Sequence, residues 1–179
     1  MRRANVGCGR VQPEGWDNID IVDYGQQFVA DITDAGYQGG QWHEYDYIVA
    51  NHLLSCFSHH DLIEVVLPNL RSMLKRGGVL RVLVPDARKA VKAYLDDDPT
   101  WFPLGDDLPF TSERLCTFLP WFGESKSIFD EFYLGRLATQ AGFSVVARCD
   151  FGCTRLCPEH TITALDDREA QSLIMEFQK

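Results

Sequence analysis

No stretch of this chain is apolar for long enough to span a bilayer. Nor does an apolar run follow Met1-Arg2-Arg3, so no secretory leader is expected. These two absences predict a soluble, cytoplasmic protein. Positive charge is also scarce: 17 Lys and Arg stand against 26 Asp and Glu, a formal net charge of −9. Displacing phosphate counterions needs the opposite balance, so nucleic acids and anionic membranes are not the expected partners. The chain has no glycine-rich phosphate loop, no Ser-His-Asp order and no H-E-x-x-H helix. A dinucleotide fingerprint is missing as well. Its third glycine is replaced by Gln12, and Asp20 follows the glycines well short of the usual spacing of about twenty residues.

Six cysteines are present, but a cytosolic chain of this size keeps them reduced. Cys149, Cys153 and Cys157 recur every fourth residue with His160 just beyond, which matches none of the usual zinc spacings. No metal site is expected. His43, His59, His60 and His160 read as solvated loop or cap residues.

What the chain does have is an alternation of apolar runs and helical patterns over 179 residues, enough for one domain with a substantial core. Seven strands are predicted: 4–6, 18–22, 28–32, 45–51, 79–84, 143–148 and 172–177. Ser58 and Asp61 begin a helix with an apolar stripe of Leu62, Val65, Val66, Leu70, Met73 and Leu74, kinked or split at Pro68. Pro85-Asp86 opens a second helix, with Ala87, Ala90, Val91, Tyr94 and Leu95 on one face. A third passes through Phe129, Phe132, Leu134, Leu137 and Ala138. Between Gly9 and Ile19 there is hardly room for a helix. The pattern is therefore an α/β, Rossmann-like fold: a seven-stranded, mainly parallel sheet with helices on both faces and a shortened first crossover. Residues 98–125 interrupt it as an insertion rich in proline and aromatic residues.

Gly7 and Gly9 close the first strand, where missing side chains let the backbone turn and approach a ligand. Alone, the pair reads equally as a tight turn. Asp20, near the end of the second strand, can accept hydrogen bonds from both hydroxyls of a ribose, or act as a turn or cap residue. In order and spacing, Val6-Gly7-Cys8-Gly9, Gly15-Trp16-Asp17-Asn18-Ile19-Asp20-Ile21 and Asp31-Ile32 resemble the first motifs of class I S-adenosylmethionine (SAM)-dependent methyltransferases. Within that class the chain resembles a family of small predicted methyltransferases, type 11-like. It continues through Tyr45–Leu54, Leu70–Asp86, Leu137–Phe143 and the closing strand. It implies that Gly7, Cys8 and Gly9 line the methionyl part of SAM, and that Asp20 holds the ribose with Ile21 beside the adenine. By the same resemblance Asp31 and Ile32 meet the adenine, while Ala50, Asn51 and His52 face the amino group and the transferred methyl.

Relatives continue the fourth motif with a Glu-His pair where this chain has Ser55-Cys56. His52 is then the candidate to orient or deprotonate an acceptor, or else a hydrogen-bonded residue at a strand end. The insertion forms an acceptor pocket or lid, or simply packs on the sheet. The resemblance implies in-line methyl transfer from SAM, leaving S-adenosylhomocysteine, to a small molecule such as a saccharide or other metabolite. Two rival readings are a non-catalytic SAM-binding or regulatory protein and an aminopropyl-type transferase. The second would draw on the acidic residues Asp96, Asp97, Asp98, Asp106 and Asp107. A homo-oligomer remains compatible with all three.

Overall fold

The computed structural model describes residues 1–34, 45–158 and 160–179, with His160 described in its backbone only. His43 and the ring of His160 lie outside the described residues. Seven strands form one sheet: β1 (Arg3–Val6), β2 (Asp17–Asp20), β3 (Phe28–Val29), β4 (Tyr45–Asn51), β5 (Leu74–Pro85), β6 (Val145–Cys149) and β7 (Ser172–Gln178). Their order is β3-β2-β1-β4-β5-β7-β6, parallel except for β7, which runs antiparallel to both neighbours. The α/β fold with a mainly parallel sheet, read from the sequence, is the one observed. The chain leaves β1 toward β2 and β3 and then returns to β1's other side for β4. The carboxyl ends of β1 and β4 therefore flank the point where strand order reverses, the place where such sheets bind ligands.

Several element boundaries differ from expectation for local reasons. β2 stops at Asp20 because its Oδ1 accepts the Val22 N–H at 3.0 Å and turns the chain, leaving Ile21 and Val22 exposed. β3 is short because Asp31 turns the chain in the same way, accepting the N–H and hydroxyl of Thr33. Leu74 joins β5 rather than the helical stripe, and Phe143 is buried ahead of β6.

The expected capping box is present at Ser58 and Asp61, where α1 (His59–Asp61) begins. Pro68 is accommodated by a π-helical turn, Leu62–Val66, before α2 (Leu67–Met73). A wider turn keeps the proline ring off the preceding carbonyl and accounts for its missing N–H.

No helix fills the first crossover. Two buried asparagines hold its loop instead. Asn5 Nδ2 donates to the Val11 carbonyl at 2.8 Å, and Asn18 Nδ2 donates to those of Pro13 and Trp16. They satisfy carbonyls that a helix would have satisfied internally.

The two faces of the sheet are covered differently. Ile48, Ala50, Leu80, Val82, Met175 and Phe177 pack against the helical stretch 59–73 and α5 (Glu131–Gln140). On the other face Tyr47, Val49, Val79, Leu83 and Ile174 meet Trp16, Cys157, Ile162 and Leu165, which belong to loops and a 3-10 turn. Cys149 and Cys157 sit here, and burial beside the charge of Glu176 pushes their thiols up to about 11 and about 12.

Through this second face runs an ionic cluster that the apolar reading of residues 79–84 did not anticipate. The Arg81 guanidinium grips Asp166 with two bonds, at 2.7 and 2.6 Å, and Glu176 with a third at 2.7 Å. All three side chains are withdrawn from water. Glu176 also accepts the N–H groups of Arg155 and Leu156, and Asp166 accepts that of Gly152. Burial alone would raise the Glu176 carboxyl. Those N–H groups, Thr154 and Arg81 outweigh it and hold the group below the usual carboxylate range.

α3 (Ala87–Leu95) buries Ala90 and Ala93, whereas Val91, Tyr94 and Leu95 of the expected apolar face are exposed. The reason is its partner. α3 packs not on the sheet but on the insertion, whose Phe102 and Phe118 form a separate small core with Ala90 and Ala93. α4 (Thr111–Phe118) supplies the buried Arg114, which donates to the carbonyls of Pro99, Leu104, Gly105 and Leu108 and so shapes the loop before it. Phe132, placed on the buried face of the last helix from sequence, is 75% exposed; Leu134, Leu137 and Ala138 are buried as expected. No described helix is long and apolar enough to cross a membrane.

Replacing Arg81 with Met is expected to lower the unfolding free energy by about 3–5 kcal/mol, because two buried carboxylates lose the cation they share. Without the cation the Glu176 carboxyl loses one of the groups that hold it below its ordinary value, so the loss of stability relative to the native chain should be larger at pH 8 than at pH 5. Urea denaturation at the two pH values checks both points.

Candidate functional site

A cavity of about 500 Å³ opens at the carboxyl ends of β1, β2 and β4. Gly7 follows β1 with φ +71°, and its N–H and that of Cys8 both donate to the Ile19 carbonyl. A Cβ at Gly7 would lie 2.8 Å from Leu53 Cδ1, so glycine is required by contact as well as by φ. At Gly9, also left-handed, a Cβ would meet nothing within 4 Å, and the Gly9 N–H donates to Asp20 Oδ2 at 2.8 Å. Asp20 thus fastens the glycine turn to the end of β2. Each of its carboxylate oxygens accepts one backbone N–H and retains a further lone pair.

The sequence-expected residues divide by position. Gly7, Asp20, Ile21, Asp31, Ile32, Asn51 and His52 line the large cavity. Cys8 lines a smaller neighbouring space of about 130 Å³ together with Asn51 and His52. Burial and the charge of Asp20 push its thiol up. Gly9 lines neither space and acts through its bond to Asp20. Ala50 is wholly buried among the core residues facing α2, with no side-chain access to the cavity. Asp31 keeps Oδ2 free of described partners, while Oδ1 serves Thr33. The Ile32 carbonyl is taken by the buried Asn69 at 2.6 Å, and its N–H donates to no described residue.

Asn51 and His52 end β4. Asn51 Nδ2 donates to the Leu165 carbonyl at 2.8 Å, but its Oδ1 is buried without a partner. His52 adopts φ +52°, and its N–H donates to the Leu83 carbonyl. Its Nε2 lies 3.1 Å from Asp167 Oδ1 and 3.4 Å from Ser172 Oγ, and its Nδ1 is buried without a partner. Burial would raise the Asp167 carboxyl. The bond and charge of His52, with Arg168, outweigh burial and hold it below its ordinary value.

A second cavity of about 280 Å³ adjoins the first, with His52, Cys56 and Glu124 common to both linings. The insertion contributes Pro103, Phe118 and Trp121 to it. It is pinned there by the N–H groups of Lys126 and Ser127, which donate to the Ser55 carbonyl. Asp167, Arg168 and Trp121 were not singled out from sequence. Asp167 lies 115 residues from the histidine it contacts, and no local pattern announces such a pair. None of Asp96, Asp97, Asp98, Asp106 and Asp107 lines either cavity. Asp97 accepts the Thr111 hydroxyl, Asp98 caps Thr100 and Asp96 pairs with Lys92.

No protein-family model matches the chain, and no curated protein matches its sequence. Solved structures match its fold. A SAM-dependent methyltransferase from Archaeoglobus fulgidus aligns with a TM-score of 0.60 at 14% identity, over 100% of this chain and 86% of that one. A SAM-dependent methyltransferase from Methanosarcina mazei aligns at 0.52 and 16% identity, over 99% and 92%. Magnesium protoporphyrin IX methyltransferase from Synechocystis PCC 6803, solved with bound S-adenosylhomocysteine, aligns at 0.50 and 13% identity, over 100% and 74%. Three other methyltransferase chains are longer, and this chain spans less than half of each. This chain has the fold of SAM-dependent methyltransferases.

Gly7→Ala and Gly9→Ala should separate contact from conformation. Both force an L side chain into the left-handed region, at about 1–2 kcal/mol. Only Gly7→Ala adds the clash with Leu53, so its unfolding midpoint in urea should fall further than that of Gly9→Ala.

Proposed function

We propose that the chain is a SAM-dependent methyltransferase acting on a small-molecule acceptor. The observation that carries this reading is the pair of joined cavities at the reversal of strand order, one lined by Asp20, Asp31 and Asn51 and the other by the insertion. A volume of about 500 Å³ falls within the range of roughly 300–1,000 Å³ typical of small-ligand and cofactor sites. The donor and acceptor set fits SAM. Asp20 has lone pairs left for two ribose hydroxyls, and Ile21, 62% exposed, offers an apolar surface beside them. Asp31 Oδ2 and the Ile32 N–H form an acceptor and donor pair suited to an adenine edge. The orphaned Asn51 Oδ1 suits an ammonium group. Cys8 and Gly9 support the turn rather than the cavity wall, and Ala50 would contribute backbone only.

SAM supplies a sulfonium methyl group, and transfer from it asks the protein mainly for alignment. Holding acceptor and methyl in line can contribute up to about 7–11 kcal/mol in well-oriented cases. The second cavity is placed to do so because it meets the first at His52. The aminopropyl reading is not favoured, since none of Asp96, Asp97, Asp98, Asp106 and Asp107 lines either cavity.

Thermal unfolding with SAM, S-adenosylhomocysteine and NAD tests the reading. A ligand at one hundred times its dissociation constant stabilises by about 2.7 kcal/mol, a midpoint rise of about 5–10 °C for a chain of this size. The expected rise occurs with the first two ligands, is lost in Asp20→Ala and is absent with NAD. No rise with either sulfur compound at millimolar concentration would remove the reading.

A further inference from the structure

We propose that the second cavity recognises a small acceptor by its carboxylate group, with Arg168 binding that group and the aromatic residues of the insertion holding a flat apolar body beside it. This rests on the methyltransferase reading and names the class of acceptor.

Backbone conformation marks the cavity first. Five non-glycine residues among those described have positive φ, and three of them, His52 (52°), Trp121 (44°) and Arg168 (49°), line this one space. Left-handed backbone is costly for residues with side chains and collects at sites that hold a ligand. At Arg168 it is held by two bonds, since the N–H groups of Gln171 and Ser172 both donate to its carbonyl at 2.9 Å. Gln171 Nε2 in turn donates to the Trp101 carbonyl at 2.9 Å and ties this turn to the insertion. The arginine is thus carried on a fixed base.

Its guanidinium has donors to spare. It stands 5.7 Å from the ring centre of Trp121, a contact that restrains it without using its N–H groups. The nearest carboxylate oxygen, Asp167 Oδ2, lies 3.8 Å from Nε, beyond hydrogen-bond reach, while Asp167 Oδ1 meets His52. No described residue accepts a hydrogen bond from the Arg168 side chain. Five N–H donors in a planar fork match the two oxygens of a carboxylate.

The rest of the lining selects within that class. Phe118 and Trp121 meet edge to face at 6.0 Å, and Pro85 and Pro103 add apolar surface suited to a flat body. At about 280 Å³ the space lies just below the roughly 300–1,000 Å³ of drug-sized pockets, so the guest is small. Among the described residues lining it, Glu124 is the one acid, and Glu124 also borders the large cavity, which Arg168 does not. Negative charge therefore stands where the cavities join, the side on which SAM would bring its sulfonium, and positive charge belongs to the second cavity. In a chain of formal net charge −9, a cation between apolar walls is a local reversal of sign that draws an anion. Arg168 also borders the small space beside Cys8, so cofactor affinity has to be read in the same experiment.

The test uses the full chain loaded with S-adenosylhomocysteine and titrated calorimetrically with benzoate, benzamide and benzylamine, probes of similar size and different charge. Benzoate is expected to bind saturably, about 10- to 100-fold more tightly than benzamide, and benzylamine not at all. Arg168→Gln should abolish the preference for benzoate over benzamide, and Arg168→Lys should keep part of it. Trp121→Leu should weaken benzoate about tenfold. In all three variants S-adenosylhomocysteine affinity should stay at the native value, which also shows that they fold. If S-adenosylhomocysteine binds but benzoate is held no more tightly than benzamide, or if the preference survives in Arg168→Gln, the subsite is overturned and the methyltransferase reading stands. Weakened S-adenosylhomocysteine in Arg168→Gln, with the benzoate preference intact, assigns the arginine to the carboxylate of the cofactor and also overturns the proposal. Failure of S-adenosylhomocysteine to bind the native chain removes the underlying reading and the subsite with it.

Discussion

The Arg81 guanidinium, buried on the central strand β5, is the interaction on which the candidate site depends. Its three bonds join Asp166 and Glu176 across the face of the sheet that the helices leave uncovered. Two buried carboxylates and one guanidinium are costly to desolvate, and an apolar trio of the same shape would be comparably stable. What the cluster provides is position. Asp166, Glu176 and the N–H groups of Gly152, Arg155 and Leu156 fix the irregular chain between β6 and β7 against the sheet. The next residues along that chain then fall into place. The Leu165 carbonyl meets Asn51, Asp167 meets His52, and Arg168 reaches the second cavity.

A second set of polar contacts does comparable work at the other end of the site. The first crossover is too short for a helix, so its carbonyls turn inward to the side chains of Asn5 and Asn18. The glycine turn that follows β1 is in turn tied by Asp20 to β2. Backbone groups that would be unsatisfied inside a protein are therefore met by side chains chosen for reach rather than by regular structure. The insertion repeats the device on a larger scale, with Arg114 collecting the carbonyls that precede α4. Each case turns an irregular segment into a fixed wall, and the two adjoining cavities are built from such walls.

His52 is where these constraints meet. It follows β4 in a left-handed conformation, bonded through its backbone to β5 and through its ring to Asp167 and Ser172. It borders both cavities at once. The fold is shared with SAM-dependent methyltransferases at identities of 13–16%, which establishes the architecture. The specific chemistry proposed for this chain comes from the side chains around that histidine.

The order of elements was legible in the amino-acid sequence because strands and helices have different apolar periods. β4 was read at its observed bounds, Tyr45–Asn51, the capping box at Ser58 was found, and the short first crossover followed from a simple count. Gly7 and Asp20 could be marked in advance because each sits at a strand end, where local sequence decides what the backbone does, whereas Asp31 and Asn51 were marked through the family resemblance. Strand ends at Asp20 and Val29 were misplaced, since one aspartate side chain accepting a nearby N–H stops a strand whose apolar pattern continues. Only the tertiary structure decided the rest. The buried face of α3 depends on which element it packs against, and that partner is the insertion rather than the sheet. Arg81 reads as an interruption in an apolar strand until Asp166 and Glu176 arrive from distant positions. His52 likewise meets Asp167 only when the chain folds, because a contact formed across 115 residues leaves no periodic trace in the sequence.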